Sequence, residues 1–213
     1  IFITRRPFII ASSSLLITDI SNNTNPSNKE HKFHLDIPIH SKNDEGDIDN
    51  TNNRDIFFYG DVTEESCFYI TKSLRSFENS KKPINLHIQS LGGELLPTFN
   101  VIDTIQNIQS PVHSYIEGYA ASAASLISVC CNKRFMNRHS LMLIHQLSGM
   151  SQGTYSDMKE EMDNMNIYMK FAKDIYLEHS LLTKEVLNNI LKYDNKWLDS
   201  SFCLQAGLVD EIL

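Results

Sequence analysis

The chain is short of every residue class that would mark a nucleic-acid binder, a membrane protein or a disulfide-stapled module. Only 19 residues are Lys or Arg against 26 Asp or Glu, a formal net charge of -7 over 213 residues. A surface with that balance has little to neutralise a run of phosphates, so no nucleic-acid partner is expected. No apolar run approaches the roughly 18 residues of a membrane-spanning helix, so no membrane partner is expected either. The four cysteines, Cys67, Cys130, Cys131 and Cys203, show neither C-x-x-C spacing nor a disulfide framework. They read as free thiols in a reducing compartment. His31 and His34 stand in a polar stretch with no further ligand at metal-site spacing, which gives no reason to expect a metal. The phosphate-binding pattern G-x-x-x-x-G-K-[ST] is absent as well, so ATP hydrolysis is not expected of this chain.

What is present is enough for a core. The sequence is 41% hydrophobic, and its length suggests one domain with room for a short appendage. The first eighteen residues carry two arginines and no acid. They suit an ordinary N-terminal strand or the remnant of an organelle targeting segment. "SNNTNPSN" and "SKNDEGDIDNTNNRD" follow, rich in Asn, Asp and Ser, and read as linker. Residues 1–54 are therefore expected to be an N-terminal extension, and residues 55–213 the ordered domain.

From Asp55 the pattern is regular. "IFFYGDV" reads as a strand. Thr63 is a helix N-cap with Glu64 and Glu65 in the first turn, and Cys67, Ile70, Leu74 and Phe77 follow at helical spacing. "PINLHIQS" alternates Ile84, Leu86 and Ile88 with polar neighbours, a strand pattern that "LGGE" breaks. Val101, Ile105 and Ile108 mark a second helix, "PVHSYIEG" a third strand, and a helix opens at Ala120 or Ala121. A strand is expected over 141–145 and a long helix over 155–179. Alternating strands and helices give an α/β domain with mostly parallel pairing. Along the long helix Met158, Met162, Met165, Met169, Ala172 and Tyr176 form one stripe, with Tyr168, Phe171 and Ile175 beside it. Two apolar rows cover more than the usual buried arc of a surface helix. Burial inside one domain and packing against a neighbouring subunit both account for them.

"GYAASAAS" places Ser122 and Ser125 in a run of small residues behind a glycine. A serine hydroxyl becomes a nucleophile only with a base, a group that orients the base, and donors for an oxyanion. His145 lies where an apolar strand gives way to a loop. Gly92 and Gly93 would let backbone N–H groups approach a ligand, and the Ala123 N–H at a helix start points the same way. Each feature alone also has a purely structural reading: a satisfied buried imidazole, a tight turn, a close-packed helix start.

Taken together, "IQSLGGE", "IDTIQNI", "EGYAASAAS", "NKRFMNRHSLMLIHQ", "SQGTYSDM" and the closing "GLVDEIL" resemble the Clp protease proteolytic subunit family and its non-catalytic relatives over about residues 55–213. That resemblance implies a crotonase-like spiral of β-β-α units with a protruding handle helix. It implies Ser122 as nucleophile, His145 as base, and Gly93 with Ala123 as oxyanion donors, leaving Ser125 to packing. The third triad member falls on Asp194 counting forward from His145 and on Asn195 counting back from the C-terminus. Leu91 and Leu147 stand where the family usually has proline.

The resemblance further implies a serine endopeptidase without metal or organic cofactor. Its subunits form heptameric rings that stack in pairs into a tetradecamer, homomeric or mixed with related subunits, and a separate AAA+ ATPase feeds unfolded polypeptides into the chamber. Two alternatives remain open at this stage: a catalytically weak or silent ring subunit, whose signature would be Asn195 as orienter, and an acyl-CoA enzyme of the same spiral fold. Cytoplasm and plastid-like organelle stroma both suit the free cysteines.

Overall fold

The computed structural model describes residues 54–213 apart from positions 79 and 194. The N-terminal extension, its expected strand or targeting remnant, the His31/His34 pair and Asp194 lie outside the described residues.

The first element among the described residues is strand β1 (Asp55–Tyr59), whose Ile56 and Phe58 point into the core while Phe57 and Tyr59 face outward. Helix α1 (Glu64–Ser76) starts at Thr63 through a capping box: the Thr63 hydroxyl accepts from the Ser66 amide, and the Ser66 hydroxyl accepts from the Thr63 amide. This reciprocal pair satisfies two backbone donors that the first helical turn leaves open. Cys67, Ile70, Thr71 and Leu74 form its buried face. Strand β2 (Ile84–Ser90) alternates as its sequence predicts, with Ile84, Leu86, Ile88 and Ser90 all buried. Helix α2 (Leu95–Asn107) returns the chain, and β3 (Val112–Ala121) then runs through the centre of the sheet.

Strand β3 serves two neighbours in turn. Its first half pairs in parallel with β4 (Lys133–Met136). Its second half, Tyr119–Ala121, pairs in parallel with β5 (Leu141–Leu143). β6 (Trp197–Asp199) then adds antiparallel to β5, and β7 (Glu211–Ile212) adds parallel to β4. Together they make a seven-stranded, mostly parallel sheet. Strands β1 and β2 and the first half of β3 bury alternate residues on the face that the helices cover. On the other face Phe57, His87, Tyr115 and Phe135 stack in register across β1 to β4, with ring centroids 4.7, 5.0 and 4.7 Å apart.

Three expected boundaries are corrected here. The helix expected at Ala120 or Ala121 is α3 (Ala123–Val129), because Ala120 and Ala121 continue β3 and pair with Met142 and Leu143. Gly118, read as the end of a strand, is an irregular position within β3, where the register with β2 shifts between Ile88 and Ser90. The strand expected over 141–145 ends at Leu143, so His145 belongs to the loop that follows.

Helix α4 (Tyr155–Glu178) is the long helix, N-capped by Thr154, whose hydroxyl accepts from the Asp157 amide. Its two apolar rows divide along its length. Ala172 and Tyr176 are buried, and Tyr168, Met169 and Ile175 pack against the core. Met158, Met162 and Phe171 are 45, 59 and 47% exposed, so the subunit alone does not cover the rest of the stripe. Helices α5 (Lys184–Ile190) and α6 (Ser200–Gln205) complete the chain. Arg134 ties the C-terminal segment down: Nε and Nη2 grip the two Asp210 carboxylate oxygens at 3.0 and 2.5 Å, and Nη1 donates to the carbonyls of Gly207 and His179. Burial by itself would raise the Asp210 pKa, but the Arg134 hydrogen bonds and charge outweigh it and hold the carboxyl below its ordinary value.

Candidate active site

The parallel pair β3–β5 builds the centre of the site. Ala121 pairs with Leu143, so the chain emerges from two adjacent strand ends, about 4.8 Å apart, as Ser122 on one side and Ile144–His145 on the other. The Ser122 amide donates to the Leu143 carbonyl at 2.8 Å, locking the two ends together. Ser122 then turns abruptly into α3 with φ 54° and ψ -125°. Among the described residues it alone carries a side chain at positive φ. Such a conformation costs of order 1–3 kcal/mol and survives only where the surroundings over-determine it. A strained strand-to-helix turn of this kind presents a serine hydroxyl at the end of the sheet.

The two serines of the motif separate cleanly. Ser122 is half-buried, at the mouth of the turn. Ser125 is fully buried, with its hydroxyl 2.7 Å from the Ser122 carbonyl and 2.6 Å from the Tyr176 hydroxyl. Thiol chemistry is unsupported at the described cysteines. All four are buried, and burial, the largest influence at each, raises their pKa, to about 12 for Cys67, Cys130 and Cys203 and higher still for Cys131. A thiol held that high is almost wholly protonated near neutrality and inert.

The glycine pair lies directly against this turn. A Cβ on Gly92 would sit 2.6 Å from the Ala121 carbonyl oxygen, 2.7 Å from the Ser122 Cβ and 3.1 Å from the Ala123 amide nitrogen. Only a residue without a side chain fits there, and its φ of 91° also favours glycine. Gly93 bridges Val62: the Val62 amide donates to the Gly92 carbonyl at 2.9 Å, and the Glu94 amide donates to the Val62 carbonyl at 2.8 Å. This parallel bridge consumes the groups flanking Gly93 and leaves the N–H of Gly93 itself directed to the opposite side. The Ala123 N–H is one of the open donors of the first turn of α3.

His145 is half-buried two residues beyond β5. The next residue, Gln146, donates from its carboxamide to the Leu191 carbonyl at 2.7 Å, pinning this loop to the end of α5 just ahead of positions 194 and 195. The antiparallel β5–β6 register converges on the same place. Its last pair is Leu143 with Trp197, two residues short of His145 on one strand and of Asn195 on the other. Asn195 is exposed. Asn195 lies two residues ahead of β6. Sequence reasoning missed Gln146 as the pin, because a glutamine after a strand carries no signal until its partner carbonyl is known. Leu91 is exposed beside the glycine pair, and Leu147 is half-buried against the core.

The structure thus sets a strained serine at a strand-to-helix turn, paired glycines packed against it, and a histidine two residues beyond the adjacent strand. The chain matches the Clp protease family over residues 47–213 and belongs to that family. It is 33% identical over 168 residues to an ATP-dependent Clp protease proteolytic subunit 1 of Chlamydia trachomatis, covering 75% of this chain and 86% of that protein. It is 32% identical over 166 residues to the corresponding protein of Chlamydia abortus. A solved ClpP1 mutant from Listeria monocytogenes superposes with a TM-score of 0.68 over 76% of this chain and 91% of that one, at 24% identity. That likeness shows the fold, and the family membership supports a peptidase role of the Clp type.

Proposed function

We propose that this chain is an active serine peptidase subunit, with Ser122 as nucleophile, His145 as general base, Asp194 as the carboxylate that orients His145, and the N–H groups of Gly93 and Ala123 as the oxyanion hole. The observation that carries the reading is the strained backbone of Ser122, held between the Leu143 carbonyl and the Gly92 turn, with His145 in the loop two residues beyond the neighbouring strand. In the reaction, His145 takes the Ser122 proton as Oγ attacks the substrate carbonyl. The oxyanion of the tetrahedral intermediate is stabilised by the two N–H groups. The imidazolium then gives its proton to the leaving amine, and an acyl-enzyme remains. Water, deprotonated by the same imidazole, hydrolyses that ester and returns Ser122 to its starting state.

The wider setting belongs to the same reading. Subunits assemble into heptameric rings, and two rings stack through α4, whose Met158, Met162 and Phe171 lack cover within the subunit. A separate AAA+ ATPase delivers unfolded polypeptides to the enclosed chamber, and the compartment is cytoplasm or organelle stroma.

The β5–β6 register favours a second reading, in which Asn195 rather than Asp194 faces His145. Its carbonyl would still orient the ring but would bring no charge to the imidazolium. In serine proteases an Asp-to-Asn change at the orienting position costs about 10⁴ in kcat. The test is hydrolysis of a fluorogenic short peptide by the assembled protein, with Asp194→Ala and Asn195→Ala run beside wild type and particle mass recorded on each sample. Loss confined to Asp194→Ala supports the first reading, and loss confined to Asn195→Ala the second. An inactive but correctly assembled wild type would overturn both in favour of a silent ring subunit.

A further inference from the structure

Ser122 has a strained backbone, and what holds that backbone extends further than the family motif. Its amide is fixed by the Leu143 carbonyl at 2.8 Å. Its carbonyl accepts from the amides of Ser125 and Leu126 at 3.0 and 3.3 Å and from the Ser125 hydroxyl at 2.7 Å. The Ser125 Oγ also lies 3.4 Å from the Leu143 carbonyl, so it touches both anchors of the strained residue. A serine hydroxyl has one proton to give. With that proton directed to the Ser122 carbonyl at the shorter distance, the Tyr176 hydroxyl, 2.6 Å away, must be the donor to Ser125 Oγ. Tyr176 lies 51 residues on from Ser125, in the last two turns of α4, and is 4% exposed. Burial raises its pKa well above the ordinary phenol value, so it remains a neutral donor across the working range.

We propose that Tyr176 and Ser125 are positioning residues for the nucleophile: the relay from the Tyr176 O–H to Ser125 Oγ, and from the Ser125 O–H to the Ser122 carbonyl, holds Ser122 in its strained conformation. This rests on the reading of Ser122 as nucleophile. A tyrosine buried for packing alone would be replaceable by phenylalanine without effect on chemistry. A positioning tyrosine would not, because without the Tyr176 O–H the Ser125 hydroxyl is no longer held toward the Ser122 carbonyl; that carbonyl keeps its two backbone donors but loses the fixed third one, so the turn loosens and Oγ moves off the line of attack. The family motif around Ser122 does not specify the link, since its two hydroxyls come from α3 and from the far end of α4.

The experiment compares wild type, Tyr176→Phe, Ser125→Ala and the double variant as assembled particles. Three quantities are read on each: kcat and KM for a fluorogenic peptide, the rate of covalent labelling by a fluorophosphonate, and amide hydrogen exchange over residues 122–126. Tyr176→Phe is expected to lower kcat and the labelling rate by roughly three- to tenfold, the range that one neutral hydrogen bond supports, with KM unchanged within about twofold. The double variant should be no worse than Ser125→Ala alone, because the two side chains act in series. Full kcat in a Tyr176→Phe particle that has lost only thermal stability would overturn the proposal, as would additive losses in the double variant. Should wild type hydrolyse no peptide and resist the label, the reading of Ser122 as nucleophile fails by itself. Hydrogen exchange then decides the relay: faster exchange at 122–126 in Tyr176→Phe upholds it, and unchanged exchange overturns it.

Discussion

Gly92→Ala is the substitution from which the structure predicts most. The added Cβ would meet the Ala121 carbonyl oxygen at 2.6 Å and the Ser122 Cβ at 2.7 Å. Ordinary carbon contacts lie near 3.5–4.0 Å, so the two segments must part by close to 1 Å. The backbone at φ 91° adds a further ~1–2 kcal/mol for any residue with a side chain. Both costs act on the turn that carries Ser122, the Ala123 N–H and the Gly93 N–H. A displacement of about 1 Å at a reacting centre costs on the order of 100-fold in rate. Gly92→Ala should therefore fold, melt several degrees lower, and lose about 100-fold in kcat/KM for a fluorogenic peptide. Gly60→Ala is the control. Its φ of 131° imposes a comparable backbone penalty, but nothing lies within 4 Å of the added Cβ. It should lose stability and keep kcat. Retention of wild-type kcat within threefold by a folded Gly92→Ala, or equal inactivation by Gly60→Ala, would refute the assignment of this turn to the site.

Two more predictions concern assembly and stability. Met158→Glu combined with Met162→Glu places charge on the uncovered stripe of α4; the particle mass by native mass spectrometry should fall by half, with the fold of each subunit intact by circular dichroism. Arg134→Met removes the grip on Asp210 and should cost about 2 kcal/mol at pH 7, read from the urea midpoint. Because the Asp210 pKa is depressed in the fold, its contribution is fully present above the unfolded carboxyl value near ~4 and is lost as pH falls through the folded value. The gap between wild type and Arg134→Met should accordingly narrow on acidification below about pH 4, leaving the share that comes from the Gly207 and His179 carbonyls.

Much of this was legible in the sequence, for identifiable reasons. The alternation of Ile84, Leu86 and Ile88 reports a half-buried strand whatever its neighbours do, and Thr63 caps α1 by local chemistry. Strand β4 was not recognised, because "KRFM" carries two charges and its pairing with His113–Ile116 is set by β3. The start of α3 was misplaced because Ala120 and Ala121 favour helix by propensity, whereas tertiary pairing with β5 makes them strand. Ser122 and the glycine pair could be named from the motif, but the strain at Ser122 and the fit of Gly92 against it are properties of the fold. Tyr176 looked like one more member of an apolar stripe. Its hydroxyl gained a role only when α4 was seen to lie against α3.

The measurement closest to the central claim is covalent labelling of the assembled wild-type particle with a fluorophosphonate, the adduct located by peptide mass spectrometry. Modification at Ser122, abolished in Ser122→Ala and slowed by orders of magnitude in His145→Ala, is the predicted result. A wild-type particle that assembles yet takes no label, or takes it at another residue, would contradict the account.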